Sequence, residues 1–197
     1  MPQTSVREAT VMDTVPLAQS LARAFYTDPV FSFFLPDDAT RLKKLESVMR
    51  ILFKLGAPHR SCYTTGNYES VTLWRPPHEW DVPFTAYITN GPALLSAFGG
   101  NIFRVLGTTG MMEKHHPHEP HWYLQTIGTD PAFQGKGYGG VIMRDRLAAV
   151  DAMHMPCYLE SSKDTNIPIY QSFGFELTGE MRVPDGPKIW PMWRKAR

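Results

Sequence analysis

Between Leu124 and Gly140 the chain reads as a strand that runs through a glycine loop into a helix. The loop centres on Gln134-Gly135-Lys136-Gly137-Tyr138-Gly139. Such a loop gathers backbone N–H groups at the positive end of a helix and so forms a pyrophosphate site. Glycine lets the backbone approach an anion and take left-handed turns without a Cβ penalty. Two commoner phosphate loops are excluded. The Walker pattern needs Gly-Lys before Ser or Thr, and here Gly137 follows Lys136. Gly135, Gly137 and Gly140 match the dinucleotide spacing, but too little sequence follows for a doubly wound sheet.

Bulk properties narrow the class. A chain of 197 residues with 43% hydrophobic and 20% charged residues suits a single domain of generous core, residues 1–197. A net charge of +1 and the lack of a basic run give no footprint for nucleic acid. No apolar run approaches the roughly 20 residues that span a bilayer, so no membrane partner is expected. The start, Met1 to Thr10, lacks the charged and apolar regions of a secretory signal. Cys62 and Cys157 fit neither a disulfide framework nor a zinc pattern. The expectation is a cytoplasmic protein with buried thiols.

Periodicity places the elements. Val6 to Thr10 reads as a strand, and Asp13 to Phe25 as a helix through Val15, Leu17, Leu21 and Ala22. Asp28-Pro29 breaks it, and an aromatic cluster of Phe31, Phe33 and Phe34 follows. Arg41 to Leu55 forms a second helix with Leu42, Leu45, Val48, Met49, Leu52 and Phe53 inward. Ser61 to Thr65 and Ser70 to Arg75 form a hairpin. Pro92 to Gly110 reads as one helix. The run His115 to His121 holds four of the seven histidines, yet its two prolines predict an extended loop and no metal site. Trp122 to Thr129 is a strand, Gly140 to Met153 a helix with Met153 inward, and Pro156 to Ser161 a strand. Thr165 caps a short helix that Gly174 ends, Phe175 opens another strand, and Ile189 to Arg194 is the last. Strands interleaved with helices predict a mixed α/β sheet.

The residues from His121 to Phe175 resemble the GNAT superfamily of acyl-CoA-dependent N-acetyltransferases. The matching pieces are Asp130-Pro131 after the strand, Gln134-x-x-Gly137-x-Gly139, and Asn166-x-x-x-Tyr170 followed by Phe173-Gly174-Phe175. A narrower resemblance, to puromycin N-acetyltransferase and its relatives, rests on three segments. They are His116-Pro117-x-Glu119-Pro120-x-Trp122-Tyr123-Leu124, Leu159-Glu160-x-Ser162, and Val183-Pro184-x-Gly186-Pro187-x-x-Trp190-x-Met192. The narrower match covers roughly the last 85 residues.

The resemblance implies a single-domain GNAT-like α/β fold, its mixed central sheet splayed at the acyl-CoA site with flanking helices. It implies acetyl-CoA as cosubstrate, bound by a core at residues 121–180, and an acceptor side at residues 25–110. Ile127, Gly128 and Thr129 would face pantetheine, and Gln134, Gly135, Lys136, Gly137, Tyr138, Gly139 and Gly140 the pyrophosphate. Lys136 reads equally as a solvated lysine. Asn166 would contact the pantetheine arm or cap its helix, and Tyr170 would give a proton to the departing thiolate. Four residues apart, the two share a helix face. The family's strand carboxylate is missing from Trp122 to Thr129. Glu160, His121, Tyr26 and a water chain remain as proton acceptors, with Glu160 on the neighbouring strand assigned as catalytic. Thr129 stands where the family favours valine.

The expected activity is transfer of acetyl to the primary amine of a small molecule by a monomer or homodimer. The acceptor pocket should come from Phe25 to Leu35, Trp74 to Trp80 and Pro92 to Gly110, whose aromatic residues include Trp74, Trp80, Phe84 and Tyr87. An acyl-CoA-binding module without transfer, and acetylation of protein amines, are the alternatives.

Overall fold

Trp122–Thr129 and Lys188–Arg194 largely alternate between buried and partly exposed positions, Ser70–Arg75 is buried throughout, and Asp, Pro and Gly punctuate the helices between the strands. The computed structural model describes residues 5–81 and 84–197; the side chains of Phe84, Ala86 and Tyr87 lie outside the description, as do the acceptor-side assignments of Phe84 and Tyr87. The strands are β1 (Val6–Glu8), β2 (Cys62–Thr65), β3 (Ser70–Arg75), β4 (Trp122–Thr129), β5 (Cys157–Ser161), β6 (Glu176–Leu177), β7 (Met181–Arg182) and β8 (Lys188–Arg194). The helices are α1 (Thr14–Ala24), α2 (Pro29–Phe34), α3 (Asp38–Gly56), α4 (Phe84–Phe98), α5 (Ile102–His115), α6 (Tyr138–Asp151) and α7 (Ile167–Ser172).

The sheet runs β1-β2-β3-β4-β5-β8-β6, with β7 paired to β8. Among the described residues its one parallel pair, β4 with β5, lies at the centre. That pairing covers Trp122–Cys157, Tyr123–Tyr158 and Leu124–Leu159, then stops. β4 nevertheless continues to Thr129 and β5 to Ser161, so the two strands part. On its other edge β4 stays paired with β3 as far as Thr129, with an irregularity at Gln125. Leu73 faces Thr126 while Trp74 faces Leu124, leaving Gln125 as an extra residue. A bulge of this kind bends one strand and re-aims its side chains. It also explains why Leu124 and Ile127, three apart, pack into the same apolar cluster.

Two cores sandwich this sheet. One joins Leu17, Leu21, Leu45, Met49 and Phe53 of α1 and α3 to Val71 and Leu73 of β3. The other joins Met143, Leu147 and Val150 of α6 to Trp74, Leu124, Leu159 and Met192. Burial raises both cysteine thiols to about 12, which keeps them protonated and inert.

Several local expectations are corrected. The aromatic cluster after Asp28 is a helix, α2, capped by the Asp28 side chain with Pro29 in its first turn. The apolar segment read as one helix from Pro92 to Gly110 is two, α4 and α5, divided by a tight turn at Gly99–Asn101. Met153 lies beyond the end of α6 and is 48% exposed, and Val15 and Leu42 are exposed as well. Thr165 sits in a single turn before α7, and Asn166 rather than Thr165 occupies the capping position.

Gly128 has a packing reason for being glycine. A Cβ there would lie 2.9 Å from Ala24 Cβ and 2.9 Å from Leu21 Cδ2, so α1 rests directly on the β4 backbone. Gly128→Ala is expected to lower the unfolding free energy by about 1–3 kcal/mol through overpacking. A urea midpoint equal to that of the parent protein would contradict this contact.

Candidate active site

Where β4 and β5 part, a cleft of about 750 Å³ opens along the freed edge of β4. Leu124 to Thr129 form one wall, Leu159 to Lys163 the other, and the glycine loop with the start of α6 closes one end. The backbone groups of this β4 edge have no strand partner, an arrangement that invites an extended ligand to pair with them.

The loop takes its shape from two left-handed glycines, Gly135 at φ 75° and Gly137 at φ 87°. Gly137 is the N-cap of α6, and its carbonyl accepts the first helical bond from Val141. The amides of Tyr138, Gly139 and Gly140 therefore belong to the first turn, whose N–H groups lack intrahelical acceptors. All three residues line the cleft. The Asp130 side chain accepts from Ala132 N at 3.0 Å and from Arg23 Nε at 2.7 Å, fixing the loop to α1. Gln134 donates through Nε2 to the Thr129 carbonyl at 3.1 Å. Thr129 holds its Oγ1 3.1 Å from Ser70 Oγ, which gives the hydroxyl a partner where valine would have none.

A second cavity of about 300 Å³ lies on the far side of the splayed strands. Phe31, Phe34, Ile51, Leu52, Leu94, Phe98 and Met112, from α2 to α5, make it largely apolar. Its lining also includes the carboxylates Asp28, Asp81, Glu113 and Glu160, and no Lys or Arg among the described residues. Phe25, Asp28, Gln125, Thr126, Glu160 and Ser162 line both spaces, so the two meet at the β4 bulge.

Asp28 and Glu160 are the charged groups at this junction. Asp28 accepts from Val30 N at 3.0 Å and Phe31 N at 3.1 Å, and Ser162 Oγ donates to its other oxygen. Burial pushes the Asp28 carboxyl above its ordinary range against these stabilising bonds. The Glu160 side chain is 3% exposed, and its Oε1 has no hydrogen-bond partner among the described residues. That oxygen lies 3.7 Å from His116 Nδ1. Burial, then the Glu160 charge and the approach of each hydroxyl to the Glu160 carboxylate, push the Tyr123 and Tyr158 hydroxyls upward.

The sequence-predicted residues fall into distinct groups. Ile127, Gly128, Thr129, Gln134, Gly135, Gly137, Tyr138, Gly139, Gly140, Asn166 and Tyr170 all line the cleft, and Glu160 stands at its junction with the second cavity. Burial and the Asp28 charge raise the Tyr170 hydroxyl to about 12, so it holds its proton at neutral pH. Asn166 caps α7 by position, with no side-chain capping bond. Lys136 turns away, donating to Ala132 O at 3.0 Å with its ammonium 5.2 Å from the Phe133 ring centroid. Tyr26 donates to Asp38 O at 3.2 Å and lines neither space. Trp74 and Phe33, read as acceptor-side aromatics, belong to apolar clusters elsewhere.

The histidine-rich loop is the largest departure. Only part of it is extended and exposed. His115 ends α5, while His116 and His121 turn inward to 4% and 2% exposure. Among the described residues no group of three or more His, Cys, Asp or Glu is arranged to hold a metal ion. Nor is any described helix long and apolar enough to cross a membrane. Sequence reasoning also missed Asp28, although Asp before Pro is a helix-start signal. Gln125 and Ser162 carry no such signal.

The sequence and fold are similar to those of known proteins. Residues 98–177 match the family model described as Acetyltransferase (GNAT) domain. An uncharacterized N-acetyltransferase of Schizosaccharomyces pombe is 26% identical over 169 residues, 80% of this chain and 68% of the relative. A solved Corynebacterium glutamicum protein, described as histone acetyltransferase HPA2 and related acetyltransferase, superposes with a TM-score of 0.75 at 24% identity, covering 98% of this chain and 97% of its own. The polyamine N-acetyltransferase of Drosophila melanogaster, which forms N-acetylagmatine, gives 0.65 at 14% identity, covering 98% and 100%. Over residues 98–177 the chain thus resembles the GNAT acetyltransferase domain, and these likenesses support an acetyl-CoA-dependent N-acetyltransferase.

Proposed function

We propose that the protein transfers the acetyl group of acetyl-CoA to the primary amine of a small, largely apolar molecule, by direct attack in a ternary complex. The observation that carries this reading is the meeting of two cavities at Glu160, Gln125 and Thr126. One has the features a CoA thioester needs: a free strand edge, an N-terminal helix turn and a glycine loop. The other brings an amine nitrogen to the same point, which turns a bimolecular encounter into an oriented one.

The residues take the following roles. Amides of the first turn of α6 and its loop hold the pyrophosphate, and the free β4 edge pairs with pantetheine. A backbone N–H of that edge polarises the thioester carbonyl. Glu160 receives the proton of the acceptor ammonium, and the freed amine attacks the carbonyl carbon. As the C–S bond breaks, Tyr170 donates its proton to the sulfur.

The apolar lining with carboxylates at its margins supports an amine with one cationic nitrogen and an apolar body. The similarity of the fold to a polyamine N-acetyltransferase is consistent with a small amine. So is the likeness of His116 to Leu124, Leu159 to Ser162 and Val183 to Met192 to puromycin N-acetyltransferase and its relatives. Most of the lining is apolar side chain, so an aromatic or aliphatic amine body gains burial there that a polyamine chain does not. Phenylalkylamines are therefore expected to exceed spermidine, agmatine and lysine peptides in kcat/KM by about tenfold or more. A preference for the peptide or the polyamine would overturn the small apolar acceptor.

A further inference from the structure

The buried histidines beside Glu160 impose a proton count. His121 Nδ1 lies 2.6 Å from the Glu119 carbonyl, which only accepts, so this nitrogen carries a proton. His121 Nε2 lies 3.0 Å from His116 Nε2, and one proton must sit between them. Burial lowers the His121 pKa and favours the neutral ring. A neutral His121 already protonated at Nδ1 accepts at Nε2, so His116 donates there. The remaining nitrogen, His116 Nδ1, then points a lone pair toward the unpartnered Glu160 Oε1 at 3.7 Å. At 3.7 Å the two atoms are too far apart to bond each other, so a proton taken up here sits on one of them and is steadied electrostatically by the other.

The rings are held for this purpose. His116 stacks on Trp80 with centroids 3.9 Å apart and planes at 22°. The Tyr123 and Tyr158 rings stand edge-on to it at 4.9 Å and 4.8 Å. The titratable groups facing the pair are Tyr123 from β4, Tyr158 from β5 and His121 from the preceding loop. The Arg75 charge on β3 opposes the upward push on Tyr123. Across the cavity stand Asp28, Asp81 and Glu113.

We infer that Glu160 Oε1 and His116 Nδ1 form one shared proton site, that His121 sets its tautomer, and that this site takes the proton of the acceptor ammonium. The inference rests on the transferase reading above. In the first step an N–H bond of the ammonium breaks and the shared site gains the proton, leaving a neutral amine. The amine nitrogen then forms the C–N bond, the C–S bond breaks, and Tyr170 protonates the sulfur. The second proton lost by the nitrogen replaces the one Tyr170 gave, and the shared site returns its proton to water. Glu160 is the catalytic residue, and His116 and His121 are positioning residues.

The test is the pH profile of kcat/KM in His116→Asn and His121→Asn, alongside nitrogen-15 NMR of the histidine rings in the parent protein. Asparagine at 116 places a fixed N–H donor at the Nδ1 position and steadies the carboxylate. At 121 it keeps the bond to Glu119 O and frees His116 to protonate Nδ1 instead. Both variants are expected to move the ascending limb toward acid and to lower kcat about tenfold. An unmoved limb, with any change in rate tracking loss of folded protein, overturns the inference. In the NMR experiment His121 should carry hydrogen on Nδ1 and His116 on Nε2, and the opposite tautomers overturn it. If these tautomers are found but no amine is acetylated, the transferase reading falls and the proton site stands.

Discussion

Glu160→Gln is expected to lower kcat by about 10²- to 10³-fold while leaving the melting temperature unchanged or higher. The two effects have one cause. A buried carboxylate oxygen without a hydrogen-bond partner weakens a fold by about 1–3 kcal/mol, and Glu160 Oε1 is such an oxygen. Glutamine has nearly the same shape, carries no charge and can donate to His116 Nδ1, so it removes that penalty. It also removes the proton acceptor and the charge that draws an ammonium into the apolar cavity, so KM for the amine should rise. KM for acetyl-CoA should not. If the variant keeps parental kcat, the proton leaves by another route. If it loses both kcat and thermal stability, Glu160 is a structural carboxylate.

Tyr170→Phe should cost about 10²-fold in kcat. The ring would keep its edge-on contact with Phe175, at 6.2 Å between centroids, so folding should be unaffected. Because burial and the Asp28 charge raise the hydroxyl to about 12, the parent enzyme keeps its donor protonated throughout the neutral range. The sign is clear: the donor is lost only as pH rises through that value. No alkaline fall in kcat from Tyr170 is therefore expected below about pH 10. Steady-state rates of the phenylalanine variant equal to those of the parent would remove Tyr170 from the reaction.

The half of the site proposed to hold acetyl-CoA was legible because its signals are local. Glycines at φ 75° and 87°, the helix they cap and the strand before them fall within one short segment. The position of Glu160, on the strand beside β4 and lining both cavities, was readable as well. The acceptor side was not, since it is assembled from distant segments whose apolar residues read equally as core. The six residues of α2 are too few to show a helical period. The apolar content across Pro92 to Gly110 hid the turn at Gly99–Asn101 that separates α4 from α5. His116 and His121 sit in a polar, proline-containing run, and their burial depends on Trp80, Tyr158 and Trp193 packed from elsewhere. Gly128 looked like a cofactor contact, and it lines the cleft. Its lack of a side chain, however, answers to α1.

The most direct measurement is free-thiol release from acetyl-CoA in the presence of a phenylalkylamine, with the product weighed by mass spectrometry. The account predicts one thiol released per amide formed, saturation in both substrates, and no acetylated protein intermediate. Tight acetyl-CoA binding with no thiol release from any amine, small or peptidic, would contradict it and leave an acyl-CoA-binding module in its place.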